Sequence, residues 1–447
     1  MFTTLKNAFK IKEIRSKILF TFAMLVVIRI GSQLPTPGID SSVIDQLFSQ
    51  ADGAFGFFDA ITGGSFVNMS ILALNISPYI TSSIIMQLLT IAIPKLEEMQ
   101  RDGEDGRKKI ASITRYVTVV LALIQATAMA IGFGRQGLLE GYITMTTGQR
   151  TLSIVTAVAT LTAGSAFLMW VGEQITEKGI GNGISIVLVI NIISRLPQDI
   201  GNLFQMFVID KFSEGAPATG FLAAVIIFAI IVGMVVLVII LNDGVRKIPV
   251  QYANKVQGRK MVGGQTSSIP LKVNTSGVIP VIFAQSIYQT PIIISSFVNY
   301  KGTGVWSEIL RYLNSNNWCN PSQLKYTIGL LGYVVLIIFF AYFYTSITFN
   351  PLMIADNMKK QGGFIPGIRP GKPTSDYLNN VLNYIIFVGA VGLTIVAVIP
   401  YIFSGVFKAS VSFGGTSLII IVSVVLETMK QVESQMLVRN YKGFLEK

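Results

Sequence analysis

Long runs of the chain contain no Lys, Arg, Asp or Glu; Tyr116 to Gly134 is one and Thr327 to Ala355 another. Runs of this kind have the length, about 20 residues, at which an apolar helix crosses a bilayer. Scanning for them predicts ten spans, at about 18–34, 75–94, 113–133, 152–172, 184–199, 218–241, 275–297, 326–347, 379–402 and 411–429. The first follows Lys6, Lys10, Lys12, Arg15 and Lys17, the order of charge and apolar run found in a cleavable signal peptide. It ends in Leu34-Pro35-Thr36-Pro37-Gly38 and not in a small-x-small cleavage site, which predicts a retained helix.

The second span departs most from a plain helix. No charge occurs from Phe66 to Pro94, 29 residues and more than one crossing needs, and Asn75, Ser77 and Pro78 interrupt the run. Proline removes a backbone donor, and backbone freed that way is tolerated at membrane depth only against protein or water. The economical reading is a broken helix, with the piece after Thr62-Gly63-Gly64-Ser65 dipping in from the outer side as a small helix or loop. An ordinary outer loop running into a kinked helix is the alternative.

Charge adds orientation. The N-terminus, the loops 95–115, 173–183, 242–274 and 348–378, and the C-terminus together hold 26 of the 35 basic residues; the five opposite loops hold 8, and Arg29 lies within the first span. Basic loops stay on the cytoplasmic side, so both termini are expected there and the net charge of +12 becomes a property of the cytoplasmic face. Such a face suits anionic lipid, ribosomal RNA or an acidic protein, or it serves only to set topology. Ten spans divide into five plus five, with a seam in the segment from Leu203 to Gly220. The halves 1–205 and 206–447 then enter from opposite sides, the condition for an inverted repeat around a pathway. The expected class is an all-α polytopic membrane protein with ten transmembrane helices in two pseudo-symmetric five-helix halves around a central pore.

Composition narrows the chemistry. Hydrophobic residues make up 51% and charged residues 13%, and there is no His and a single Cys, Cys319. A Ser-His-Asp triad, His-ligated zinc and an intramolecular disulfide are excluded, and no cofactor or metal is expected. Gly371-Lys372 is followed by Pro373, so no phosphate-binding loop is present there and energy for any active process must come from a partner. Ion-coupled transport needs ionisable groups inside the membrane. Only Arg29 qualifies, near the outer end of its helix, where snorkelling or a carbonyl partner gives it a structural role. A secondary transporter of a small solute is therefore the weaker alternative. The uncharged polar residues Asn75, Ser77, Thr81, Ser82 and Gln87 on the second span and Gln285 and Gln289 on the seventh read either as helix–helix hydrogen-bonding groups or as a wettable wall. The loops 242–274 and 348–378, about 30 residues each, are long enough to be functional. The second contains Gly362-Gly363-Phe364-Ile365-Pro366-Gly367-Ile368-Arg369-Pro370-Gly371, turn formers around one Arg whose planar fork suits carboxylate or phosphate.

Several longer segments carry a resemblance over nearly the whole chain. They are Arg29-Ile30-Gly31 through Pro35-Thr36-Pro37-Gly38-Ile39-Asp40, Pro78-Tyr79-Ile80 to Gln87-Leu88-Leu89, Gly172-Glu173-Gln174-Ile175-Thr176-Glu177 to Gly181-Asn182-Gly183-Ile184-Ser185, Pro270-Leu271-Lys272-Val273-Asn274 to Ile279-Pro280, Ala355-Asp356-Asn357 to Pro370-Gly371, and Phe413-Gly414-Gly415-Thr416-Ser417. In these the sequence resembles the SecY/Sec61-alpha family, the channel-forming subunits of protein translocases.

The resemblance implies an hourglass channel without enzymatic activity, in a bacterial plasma membrane, that passes unfolded secretory polypeptides and releases transmembrane segments sideways into lipid. It implies a pore ring of Ile76, Ile80, Leu188, Ile282 and Ile420, and a plug near residues 57–71 that includes Gly63, Gly64, Ser65, Phe66 and Val67. Gln87 and Asn274 match polar positions of a lateral gate between the second and seventh spans. Arg246, Lys247, Lys255 and Arg369 fall on the surface expected to dock a motor or ribosome. The implied partners are SecE and SecG, the SecA motor ATPase, the ribosome, preproteins with signal peptides, and membrane lipid, with no role for DNA. Asn75 and Ser77 stand where the resemblance leads one to expect Gly and Met, and without it the five ring residues would read as core packing.

Overall fold

The computed structural model describes residues 6, 8–39, 62–134, 146–209, 217–252, 255–257, 260–262, 266–298, 304–321, 323–407 and 415–445. Each of the ten expected spans coincides with a helix. In chain order the first elements are α1 (Lys12–Gly31), α2 (Ser77–Ala92), α3 (Pro94–Arg101), α4 (Glu104–Gly134), α5 (Thr147–Lys178) and α6 (Gly183–Phe204). A π-helical turn, Gln205–Ile209, follows, and then α7 (Pro217–Asp243). The chain continues through β1 (Val245–Tyr252), β2 (Lys255–Gln257), β3 (Lys260–Val262), β4 (Thr266–Lys272), α8 (Ile279–Val298) and α9 (Val305–Leu313). It ends with α10 (Thr327–Thr348), α11 (Pro351–Lys360), β5 (Gly363–Phe364), α12 (Lys372–Phe407) and α13 (Gly415–Leu445). Among the described residues six helices are by themselves long and apolar enough to cross a membrane, seven if α2 and α3, bent by 106°, count as one.

Several spans outrun their apolar cores. α4, α5, α12 and α13 continue for one to four turns into charged or polar sequence, because a helix ends where capping or a breaker stops it and not where lipid does. The turn between α5 and α6 is short for that reason. α5 runs to Lys178, and the Asn182 side chain caps α6 by accepting from the Ser185 amide (3.4 Å). The segment read as an exposed seam from Leu203 begins helical and carries a π turn; 210–216 lie outside the described residues.

The long loops hold the main addition to an all-helical picture. β1 pairs antiparallel with β4 in the register Ile248↔Ile269 and Val250↔Ser267, and β5 pairs with β1 at Gln251 and Tyr252. The resulting sheet, in the order β4-β1-β5, packs Ile248, Val250 and Leu271 against Met358 of α11, Ile365, and Leu378 and Val381 of α12. Pro249 lies where β1 has β4 as its only neighbour, the edge condition under which a residue without an N–H is tolerated. Asn350 caps α11 by accepting from the amides of Leu352 and Met353 (both 3.1 Å). β1, β4, β5, α11 and the start of α12 thus form one packed unit.

Two apolar cores divide the helices. One joins Phe66, Met69 and Ala73 to α4 and α5 through Ala122, Ala126 and Leu161. The other gathers α7, α8, α10, α12 and α13 around Trp318, Tyr333 and Tyr288. α6 packs on α13 and α8 on α4, which brings the two sets of helices together.

Candidate functional site

Where the two sets meet, Leu188, Val189 and Ile192 of α6 and Ile420 and Val424 of α13 form a buried cluster, with Ile80 of α2, Ile186 of α6, Val278, Ile282 of α8 and Ile421 packed on it. Every member is Ile, Leu or Val. Four of the five ring residues named from the sequence therefore come together. Ile76 does not join them; it is fully buried in an adjoining cluster with Ile28, Leu72, Leu168 and Val187, and Ile80 touches both groups. The cause is local. Ile76 still belongs to the turns that precede α2, so its side chain faces the α1–α5 packing instead of the central cluster. Val189, Ile192 and Val424 were not foreseen, since aliphatic residues on a membrane helix carry no mark of where they point.

The chain enters α2 through consecutive turns over residues 63–76, all short of a helix. That stretch is built into the bundle. Pro35 and Ser70 form an isolated antiparallel bridge, the Thr36 amide donates to Met69 O (2.9 Å) and the Ile71 amide to Leu34 O (2.9 Å). Of the residues assigned to a plug, Gly63, Gly64, Ser65 and Phe66 are buried and Val67 is half-buried; 57–61 lie outside the described residues. Gly63 (φ +64°) and Gly64 (φ +87°) occupy the left-handed region, and a Cβ at Gly63 would lie 2.5 Å from the Asn191 carbonyl oxygen of α6.

Polar groups tie this turn down. Arg29 Nη1 donates to Ser194 Oγ (2.9 Å) and to Gly63 O (3.3 Å), while Ser194 Oγ donates to Asn191 O (2.6 Å). Asn191 Nδ2 in turn donates to Asn75 Oδ1 (3.1 Å), and Ser165 Oγ of α5 donates to Asn75 O (3.0 Å). Arg29 thus has the carbonyl partner expected for a structural role.

Gln87 and Asn274 are not joined by the hydrogen bonds described for them. Asn274 is buried, and its Nδ2 donates to Asn242 Oδ1 (3.0 Å), whose amide donates to Ser423 Oγ (2.8 Å); this links the approach to α8 with α7 and α13. Gln87 is exposed and lines a cleft of about 680 Å³ together with Ile84 and Leu88 of α2, Phe283 of α8, and Phe340 and Phe343 of α10. Phe283 stacks on Phe340 with centroids 5.1 Å apart, so the far wall is one locked aromatic surface. α2 packs on α4 and α8 on α10, whereas α2 and α8 touch each other only sparsely. Two of the polar residues left open between wall and glue are consumed by packing: Ser82 Oγ donates to Thr114 O (2.8 Å), and Gln285 Oε1 accepts from the Tyr401 hydroxyl (2.8 Å).

At the other end of the bundle Arg246 and Lys247 are exposed on β1, and Arg369 is exposed in the turn that follows Ile365 and Ile368, both of which pack on the sheet unit. The Arg369 carbonyl accepts from Thr374 Oγ1 (2.8 Å). Lys255 lies in β2, and its side chain falls outside the described part.

The sequence model of the SecY family matches residues 70–429. The chain belongs to the SecY family. It is 43% identical over 455 residues to the protein translocase subunit SecY of Halalkalibacterium halodurans and 42% identical over 456 residues to that of Bacillus subtilis, in both cases across the whole of each chain. Among solved structures it is similar to one described as a protein conducting channel (TM-score 0.62, 18% identity, covering 94% of this chain and 92% of that one). It is also similar to Sec61 in the canine ribosome-channel complex from the endoplasmic reticulum (TM-score 0.60, 17% identity, 94% and 92%). At such identities the SecY-family likeness in structure speaks for the fold, and the curated relatives speak for the family.

Proposed function

We propose that the chain is the protein-conducting channel of a bacterial Sec translocase, passing unfolded secretory polypeptides between its two halves and releasing apolar segments sideways into lipid. The observation that carries this reading is the all-aliphatic cluster drawn from α2, α6, α8 and α13, in which both halves contribute side chains to one apolar collar. A narrow apolar constriction excludes water and ions by dewetting. It also holds no passing side chain firmly, since Ile, Leu and Val offer no hydrogen bonds and no charge.

The cleft between α2 and the α8–α10 wall supports the sideways exit. A segment of about 20 apolar residues gains by moving from a wet pore into lipid, whereas one Lys or Asp at the bilayer centre costs about 3 kcal/mol. Sorting between secretion and insertion is then largely a partition equilibrium. The chain itself is not an enzyme. Energy comes from a SecA-type ATPase or from the ribosome, which bind the basic sheet unit that carries Arg246, Lys247 and Arg369, with Lys255 on β2, which pairs with β3 in a separate two-stranded sheet. A SecE subunit clamps the halves, and SecG is peripheral. The excess of basic residues in one set of loops supports the bacterial plasma membrane with both termini cytoplasmic.

The test is reconstitution of the chain with a SecE-type subunit in vesicles, with a SecA-type motor, ATP and a precursor carrying a signal peptide. ATP-dependent protection of the precursor from external protease is the expected result. Failure of export, together with uptake of a small solute down an ion gradient, would replace the channel with a secondary transporter.

A further inference from the structure

We infer that Asn75 and Asn191 act as a positioning pair for the collar, holding the wall residues Ile80 and Leu188 in the one geometry that keeps water out. The inference rests on the channel reading. Residues 116 positions apart meet here through a 3.1 Å hydrogen bond between two side chains that are 1% and 2% exposed. Asn75 immediately precedes Ile76 and leads into α2, where Ile80 lies one turn further on; Asn191 lies one turn beyond Leu188 and beside Ile192. The bond therefore fixes two strips of aliphatic wall relative to each other.

Both ends of the bond are themselves held. Asn75 sits in the left-handed region at φ +52°, which Asn tolerates far better than a branched residue, and its carbonyl accepts from Ser165. The Asn191 carbonyl accepts from Ser194, whose hydroxyl is bound by Arg29, and Arg29 also holds the Gly63 carbonyl. One frame of hydrogen bonds thus links the collar wall to the turn that precedes it.

A purely stabilising role fits this pair poorly. Among the described residues the Asn191 Oδ1 atom is buried without a hydrogen-bond partner, a cost that an aliphatic residue at the same place would not carry. Replacing both partners of such a bond by apolar groups is often neutral for stability, so what the bond adds is a single arrangement of the wall. Stability and seal are therefore separable by experiment.

The substitutions are Asn75→Gly, Asn191→Ala and the pair together. Glycine suits φ +52°, so Asn75→Gly deletes the amide without backbone strain and keeps the test open if Asn191→Ala folds poorly. Each is reconstituted in planar bilayers, with thermal unfolding in detergent followed in parallel, and Ile282→Asn serves as a collar variant expected to leak. The expected result is a resting ion conductance about fivefold above the unsubstituted channel, the ratio that corresponds to one neutral hydrogen bond. The double substitution should show the same rise and not its square, with its unfolding temperature closer to that of the unsubstituted channel than that of either single substitution, because it leaves no half of the bond unpaired. Unchanged conductance in all three while Ile282→Asn leaks overturns the positioning pair alone, and so do independent, multiplicative rises. A silent Ile282→Asn overturns the channel reading, and this inference with it.

Discussion

Single residues divide sharply by whether their chemistry shows in a sequence. Arg29 could be singled out at once as the charge inside the first span, and a carbonyl partner is what it has. Asn191 could not, because nothing in a list of residues tells that it meets Asn75. The collar is legible only through resemblance, since Ile80, Leu188, Ile282 and Ile420 are the residues any membrane helix uses for packing. Glycines are readable where they break a run, as at Gly63, but not how firmly they are needed. Gly63→Ala combines φ +64° with a Cβ 2.5 Å from a backbone oxygen of α6, so it should destabilise by ~2–3 kcal/mol, seen as a lower unfolding temperature in detergent. Gly64→Ala meets only the flexible end of Arg195 at 3.5 Å and should cost less. Arg369 is the opposite case. Exposed on a turn, it should change stability by no more than about 0.5 kcal/mol when replaced by Glu. Motor-driven export should nevertheless fall severely, and Lys at the same site should restore it only in part, because it keeps the charge and loses the bidentate fork. Normal export by the Glu variant would leave Arg369 as a topology-setting charge.

At the scale of elements, charge-poor apolar runs located ten helices, of which six, or seven with the bent α2–α3 pair, are long and apolar enough to cross a membrane among the described residues, because desolvating a charge is costly. Helix ends were less legible: once a helix leaves the membrane, polar residues continue it freely, as in α4 and α5. The sheet was hidden for a different reason. β1 and β4 contain Pro249 and Pro270, and the third strand, β5, arrives from more than 100 residues away, so no local signal specifies the pairing. What specifies it is the core beneath, where Leu271 is 1% exposed among Ile248, Val250, Leu378 and Val381. Leu271→Ala should therefore loosen the unit by ~2–5 kcal/mol. Faster tryptic cleavage and amide exchange confined to 245–272 and 351–371, with the spanning helices still protected, is the expected pattern. Exchange that rises equally throughout the bundle would mean that the unit does not fold as a part of its own.

On the scale of the whole molecule, the two halves proposed for the channel meet most closely where α6 packs on α13. α2 and α8 are barely in contact, and the cleft of about 680 Å³ lies between α2 and the Phe283–Phe340 wall. Such a seam opens more readily between α2 and α8, where chiefly the α8–α4 contact holds it, because separating α6 from α13 would expose buried Leu188, Val189, Ile420 and Val424 to water at about 1.5–3 kcal/mol each. Cysteines at Ile84 and Phe283, which line the two walls of the cleft, test this directly. Cys319 is replaced by Ser for the purpose, although burial already pushes its thiol pKa up and slows its own reaction. A disulfide needs Cα atoms within about 7 Å, so spontaneous bridging reports that the walls have closed on each other, while a short bis-maleimide spans them as they stand. Either bridge should arrest a precursor in mid-transit and block insertion of a 20-residue apolar segment, with single-cysteine controls unaffected. Transport and insertion that continue at full rate through the bridged channel would make the α2–α8 seam a fixed surface and place the sideways exit elsewhere.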